Sequence, residues 1–322
     1  MKPKSSIFLV VFTLVSYLSF SQNTDTLPKK LDSLRNKVDA RDQNNDIQPE
    51  AYTENTKIDF PTYFTLLGSD FKQQFTAPFH TSKESWMKVG GFALLTGALS
   101  FGDVPIQRSA LQLRNSNSTV RNISGHVTNM GGLYEGYTLA ALGAYSFIFK
   151  NEKLKTTTLL ATQAYITAGV IGTLAKYVTG RQRPSYYGND PIEARGTFHG
   201  PISAAGRSYN GQTISSSFPS GHTTVAFAAA TVFAMEYKDK PFIPVLAYGA
   251  ATMIGVSRIT ENKHWATDVL VGAALGYLSG RQVVNNYHRY SNLKSGKPKT
   301  KNLTFNLQYA HGQFMPGFVY KF

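Results

Sequence analysis

The sequence predicts an all-α protein, a bundle of about six core helices followed by a short C-terminal β-hairpin. Three observations carry this. Apolar runs of helical length recur from residue 86 onward, separated by polar loops. No strand-like alternation interrupts them. Their filling is Ala, Gly, Leu, Val and Thr, small enough for helices to approach one another closely.

In chain order, Lys2 and Lys4 precede an uncharged apolar run, Ile7 to Phe20, followed by Ser21-Gln22. A basic start, an apolar stretch and a small-residue end are the layout of an export signal cleaved near Ser21, giving a leader of 1–21. The run is short for a membrane span, and an uncleaved anchor is the alternative. Residues 22–60 are polar and poor in large aliphatics, which reads as a flexible linker with a short helix near Leu31 to Val38. Phe60 to Phe79 is aromatic-rich and holds Pro61 and Pro78; it is expected to dock on the core rather than on a membrane surface. The main domain is 61–290.

The six core helices are expected at Trp86–Phe101, Tyr137–Phe149, Thr156–Val178, Thr223–Tyr237, Phe242–Ser257 and Asp268–Val284. Between the first two, 102–132 reads as an Asn/Ser-rich loop with one helix around Pro105 to Arg114. The loop 185–218, rich in Gly, Ser and Tyr, is the natural shaper of access to a site. In the tail, 291–322, Leu303, Phe305, Leu307 and Tyr309 alternate with polar residues before Gly312, the pattern of a hairpin.

Composition narrows the function. The formal charge is +14. A basic exported chain points to anionic partners such as phosphate esters or acidic lipid headgroups. Nucleic acid is not expected, because no aromatic-interleaved basic motif or zinc-finger spacing accompanies the charge. With no cysteine, disulfides, thiolate metal sites and a lipoprotein anchor are excluded.

Three stretches carry chemistry. His264 and Asp268 stand four apart at the start of a helix, on one face, so the carboxylate can reach the imidazole and fix its tautomer. Pro219-Ser220-Gly221-His222 opens another helix, where free backbone amides and the positive dipole end favour an anion. Lys176 and Arg183-Pro184 bracket the end of the longest apolar run, where Gly180 and Pro184 stop the helix and let Arg183 fold back beside Lys176. Lys176, Arg183 and Arg258 would supply three cations, and Ser220 with the Gly221 amide would extend the cradle.

In this pattern the chain resembles the type 2 phosphatidic acid phosphatase and vanadium haloperoxidase superfamily. The family's Lys, six residues, Arg-Pro; Pro-Ser-Gly-His; and Ser-Arg, five residues, His, three residues, Asp all occur in order, as Lys176 to Pro184, Pro219 to His222 and Ser257 to Asp268. The resemblance spans roughly 135–285. It implies that His264 is a nucleophile forming a phosphohistidine, that Asp268 orients it, and that His222 protonates the leaving oxygen and then activates water. Lys176, Arg183, Ser220, Gly221 and Arg258 would bind the phosphate, with no metal and no cofactor.

The implied function is a phosphatase of the cell envelope acting on lipid-linked monoesters or diphosphates. A soluble acid phosphatase, a vanadate-dependent haloperoxidase and a non-catalytic binder are the alternatives. His80, His126, His199, His288 and His311 lack metal-ligand spacing and read as surface or hydrogen-bonded residues. Tyr186, Tyr187 and Trp265 flank motif residues and either touch substrate or pack.

Membrane crossing is less uniform. Only Thr156–Ala175 reaches span length without a charge. The basic loops at 150–155 and 236–240 lie opposite the motif loops, which places the motifs outside if the helices span. An exported N-terminus followed by six spans places them inside. The two agree if Trp86–Phe101 lies in the interface, or if nothing spans. Membrane association with a periplasm-facing site is the expectation.

Overall fold

A computed structural model of the chain describes residues 52, 56–187, 195–201, 208–209, 212–213, 216–294, 302–310 and 313–321. The leader, most of the linker and the helix expected at Leu31 to Val38 lie outside these residues.

Among the described residues the chain forms nine α-helices: α1 (Phe60–His80), α2 (Lys83–Leu99), α3 (Asp103–Ser116), α4 (Ser118–Met130), α5 (Leu133–Ile148), α6 (Glu152–Thr179), α7 (Gly221–Glu236), α8 (Phe242–Thr260) and α9 (Ala266–Lys294). All six expected core helices are present. The tail pairs Asn302–Ala310 with Gln313–Lys321 as antiparallel strands.

Two helices differ from the expectation. α1 starts on Asp59, whose side chain accepts from the Thr62 amide, so Pro61 sits in a first turn that needs no amide from it. Its inner face is partly polar. Asn286 donates to Asp70, and Gln163 donates to the Tyr63 carbonyl. That polarity hid it from a hydrophobic-period reading. Within 102–132 the one helix expected around Pro105 to Arg114 is present as α3, while the remainder read as loop forms α4, joined to it at Asn117, which caps α4 through the Val120 amide. The buried residues of α4 are Ser124 and Thr128, so no apolar stripe announced it.

α7 lies at the centre, packed by α6, α8 and α9. Its contact with α9 is the most extensive between helices among the described residues. A Cβ added at Gly272, Gly276 or Gly280 would collide with the backbone oxygens of Ser220, Thr224 and Ala228 respectively. This four-residue glycine spacing lets two backbones touch and fixes the start of α7 against the start of α9. Leu160, Ala164, Ala168, Ala228, Val232 and Val283 fill the core around them.

Alternate helix ends gather at opposite ends of the bundle. The ends of α6 and α8 and the starts of α7 and α9 meet at one end. At the other, the Tyr52 hydroxyl donates to Glu236, the last residue of α7, and the Tyr287 hydroxyl donates to the Thr56 carbonyl. Residue 52 is therefore separated from the start of α7 by a helix of about 24 Å at 1.5 Å per residue. The arrangement in which helix 86–101 lies in the interface, leaving residue 52 on the motif side of a spanning bundle, does not fit this placement.

Among the described residues, three segments are long and apolar enough to cross a membrane: Lys83–Ser116, Glu152–Thr179 and Phe242–Thr260. The sequence pointed to one, because it counted only charge-free runs and the helices extend beyond them. Rows of large apolar side chains face outward, including Met87, Leu94 and Leu95 on α2, Phe147 and Ile148 on α5, and Val245, Leu246 and Met253 on α8. Exposed apolar surface this continuous marks contact with lipid or a partner.

Candidate active site

The loop 216–220 gathers the site. α6 ends at Gly180, which adopts a left-handed conformation (φ 55°) and returns its amide to the Lys176 carbonyl. Just before that stop, Lys176 donates to the Ser216 carbonyl at 2.7 Å. Just after it, Arg183 donates to the Ser216 hydroxyl at 3.1 Å. The reversal after Gly180 thus brings two cations onto one residue. Arg258, near the end of α8, donates through Nη1 to the Thr128 hydroxyl at 2.7 Å. Its Nε is buried with no hydrogen-bond partner, a donor waiting for an acceptor.

Both motif histidines face these cations. Lys176, Arg183 and Arg258 are electrostatic neighbours of His222 and of His264 alike. Gly221 follows Ser220 at the start of α7, and a Cβ there would lie 3.4 Å from Lys176 Cε. The Gly221 and His222 amides belong to the first turn, where amides have no intrahelical acceptor. The Ser220 hydroxyl accepts from Thr223, and the Ser220 amide donates to the Asp268 carbonyl.

His264 sits in the turn between α8 and α9, almost wholly buried. That turn is held from outside. Gln107 on α3 donates to the Ile259 carbonyl and to Asn262. Arg114 forms a two-point ion pair with Glu261, both distances 3.0 Å. Asn262 takes the left-handed conformation (φ 57°), which Asn tolerates. His264 Nδ1 lies 2.7 Å from the Ser217 carbonyl. A carbonyl only accepts, so Nδ1 carries the hydrogen and Nε2 keeps its lone pair. Burial and the three cations push the His264 pKa well below its ordinary value, so the ring is neutral.

Asp268 does not touch this ring as its spacing implied. Its Oδ2 stands 3.7 Å from Nδ1, beyond a hydrogen bond. That oxygen accepts instead from the Ser217 hydroxyl at 2.5 Å and the Trp265 amide at 2.9 Å. The geometry differs because residue 264 precedes the helix, and the Ser217 carbonyl occupies the position beside Nδ1. Asp268 therefore holds the residue that holds the histidine.

Sequence reading missed the groups behind Asp268. Arg181 donates through Nη1 to Asp268 Oδ1 at 2.5 Å and through Nη2 to Asp103 at 2.7 Å. Asp103 also accepts from the Thr267 amide and hydroxyl. Arg181 lay inside the unspecified six residues of the first motif, and Asp103 lay in a stretch read as loop. Only the charge of each was visible.

The flanking residues separate. Trp265 is fully buried, and its indole donates to the Gln182 carbonyl at 2.8 Å, so it packs. His199 is bonded to the Gln182 side chain. Tyr186 and Tyr187 stack edge to face on the turn after Arg183. Half of the loop 185–218 lies outside the described residues.

Residues 157–291 match the family model described as the PAP2 superfamily, so the resemblance carried by the three motifs holds over this segment. The chain is 52% identical over 69 residues to a lipid A 1-phosphatase of Porphyromonas gingivalis, covering 21% of this chain and 16% of that protein. It is 30% identical over 135 residues to lipid phosphate phosphatase 1 of Arabidopsis thaliana, covering 36% and 39%. The chain thus spans less than half the length of these curated relatives. Among solved structures, a PAP2 type phosphatidylglycerolphosphate phosphatase from Bacillus subtilis is 21% identical with a TM-score of 0.41, covering 60% of this chain and 90% of that one.

Proposed function

We propose that this chain, with its PAP2 superfamily segment at 157–291, is a metal-independent phosphatase of the cell envelope acting on lipid-linked phosphate monoesters or diphosphates. One observation carries it: two histidines share the same three cations, and among the described residues none of those cations has a carboxylate partner at ion-pair distance. Such a nest is charge-complementary to a phosphoryl group and is left unbalanced without one.

The chemistry follows from the geometry. Lys176, Arg183, the Arg258 Nε and the amides around Gly221 neutralise the non-bridging oxygens. The Nε2 lone pair of His264 forms the bond to phosphorus while the bond to the leaving oxygen breaks. His222 gives that oxygen a proton. Water then attacks the phosphohistidine, losing its proton to His222, and phosphate leaves with the His264 ring restored. Asp268 acts through Ser217, keeping the hydrogen on Nδ1.

The lipid side of the proposal rests on the outward apolar rows and on the names of the matched relatives. Purified protein should release phosphate from lipid phosphates in detergent faster than from a water-soluble aryl phosphate. The reverse order would favour a soluble acid phosphatase. A His264→Ala protein that still accumulates labelled phosphoenzyme would remove the nucleophile assignment.

Orientation is part of the same proposal. The basic loops 150–155 and 236–240 lie at the end opposite the site, and the preference of basic loops for the inner side supports a site on the periplasmic face of a spanning bundle. Residue 52 then lies on the inner face. The absence of cysteine makes this directly readable. Single-Cys variants at Lys150 and Asn117 should label from opposite sides of sealed vesicles. Labelling from the same side would exclude the spanning arrangement.

A further inference from the structure

Helix α4 lies outside the matched segment 157–291, yet it reaches the cation nest. It is fixed to the end of α8 at two successive turns. Ser124 donates to Glu261, a carboxylate that Arg114 also holds by two hydrogen bonds. One turn on, Thr128 takes Arg258 Nη1 twice, at 2.7 Å on its hydroxyl and at 3.3 Å on its carbonyl. Beyond it, Gly131 closes on the site: a Cβ there would lie 2.9 Å from Ile254 Cγ2 and 3.0 Å from His222 Cδ2. Thr128 and Arg258 are both buried, so these bonds form where water competes least.

Which nitrogen Thr128 takes is decisive. A guanidinium is a planar fork whose side-on edge presents Nε–H and one Nη2–H in parallel, matched to two oxygens of a phosphate. Nη1 lies off that edge. Thr128 therefore occupies the one nitrogen that the side-on fork does not use. Arg258 Nε is left buried with no hydrogen-bond partner. A donor so placed costs free energy until an acceptor reaches it, and an anion offers one oxygen to each arm. Arg258 acts with Lys176 and Arg183 on both His222 and His264, so the fork belongs to the same nest.

We propose that Thr128 is a positioning residue: by holding Nη1, it turns the Nε–Nη2 edge of Arg258 onto two oxygens of the transferring phosphoryl group. Thr128 itself touches no substrate. Without its hydroxyl, Arg258 keeps its charge and loses its aim. A misplacement of about 1 Å in such a contact costs on the order of a hundredfold in rate.

This role rests on the phosphatase proposal and is tested separately from it. Full-length wild type, Thr128→Val, Thr128→Ser, Arg258→Lys and the double variant of Thr128→Val with Arg258→Lys are compared. Two quantities are read: kcat/KM on a phosphatidate in mixed micelles, and the Kd of orthovanadate, a mimic of the transferring group, by calorimetry. Thr128→Val, which keeps the shape and loses the hydroxyl, should weaken both by about tenfold or more. Thr128→Ser, which keeps the hydroxyl, should bring both to within about threefold of wild type. Lysine has no fork to aim, so adding Thr128→Val to Arg258→Lys should cost less than about twofold further. Equal loss in both backgrounds, no loss in either, or Thr128→Ser falling as far as Thr128→Val overturns the assignment. Should Thr128→Val not fold, Thr128→Ala takes its place in the cycle. Wild type that binds vanadate and hydrolyses no ester would sink the phosphatase reading alone, and the vanadate cycle would still decide Thr128. Wild type that binds no vanadate would overturn both.

Discussion

The two ends of the bundle bury similar groups and leave them in opposite states. At the end away from the site, His288 Nε2 lies 2.7 Å from Glu236, and the other oxygen of that carboxylate takes the Tyr52 hydroxyl. Acid, imidazole and phenol close on one another. At the site end, the carboxylate of Asp268 is consumed by Arg181 and Ser217, His264 is tied only to a neutral carbonyl, and three cations remain. A buried histidine beside an acid is thus not itself a sign of catalysis. The sign is a ring nitrogen that keeps its lone pair beside cations with no carboxylate at ion-pair distance among the described residues.

The sharpest way to break this contrast is to delete each histidine. His264→Ala should cost turnover by roughly a factor of 10³ or more with little change in unfolding. His288→Ala should keep turnover within a few-fold but lose about 2–3 kcal/mol of stability, because Glu236 stays buried with one partner fewer. Steady-state kinetics beside denaturant unfolding reads both, and an inactive but stable His288→Ala would erase the distinction.

The Asp103–Arg181–Asp268 chain comes next. Asp103→Ala leaves Arg181 buried with half its charge unmet and should cost about 3–5 kcal/mol. If unfolding is unchanged, the network is not the brace described here.

A smaller effect concerns pH. Because the His264 pKa is lowered, protonation and loss of the nucleophile should begin only well below about pH 6.5, the ordinary imidazole value. Phosphoenzyme formation in single turnover should therefore hold steady down to about that pH. Arg183→Gln removes one repelling cation, raises that pKa and should move the acid limb upward. An unmoved or lowered limb would mean that the cations do not act on His264.

The smallest expected change is Tyr52→Phe, which removes one hydrogen bond at the closed end. It should lower stability by about 1 kcal/mol and leave kinetics untouched.

Much of this is legible in the order of residues along the chain. The helix stop at Gly180, the three motifs and the six apolar helices all depend on local or periodic features that a linear sequence displays. What escaped was polar burial. α4 turns Ser124 and Thr128 inward because Glu261 and Arg258 need hydrogen-bond partners there, so its buried face resembles a loop in composition. Asp103 and Arg181 were ordinary charges until folding placed them 2.7 Å apart.

The sequence by itself determined which residues could handle a phosphoryl group, because those side-chain types and spacings are chemical facts about the chain. Only the tertiary structure decided how they are held. Whether Asp268 meets His264 directly or through Ser217 depends on which neighbour reaches Nδ1 first. That is settled by residue 264 lying ahead of α9 and by the Ser217 carbonyl folding in beside Nδ1, a matter of packing that no spacing rule encodes.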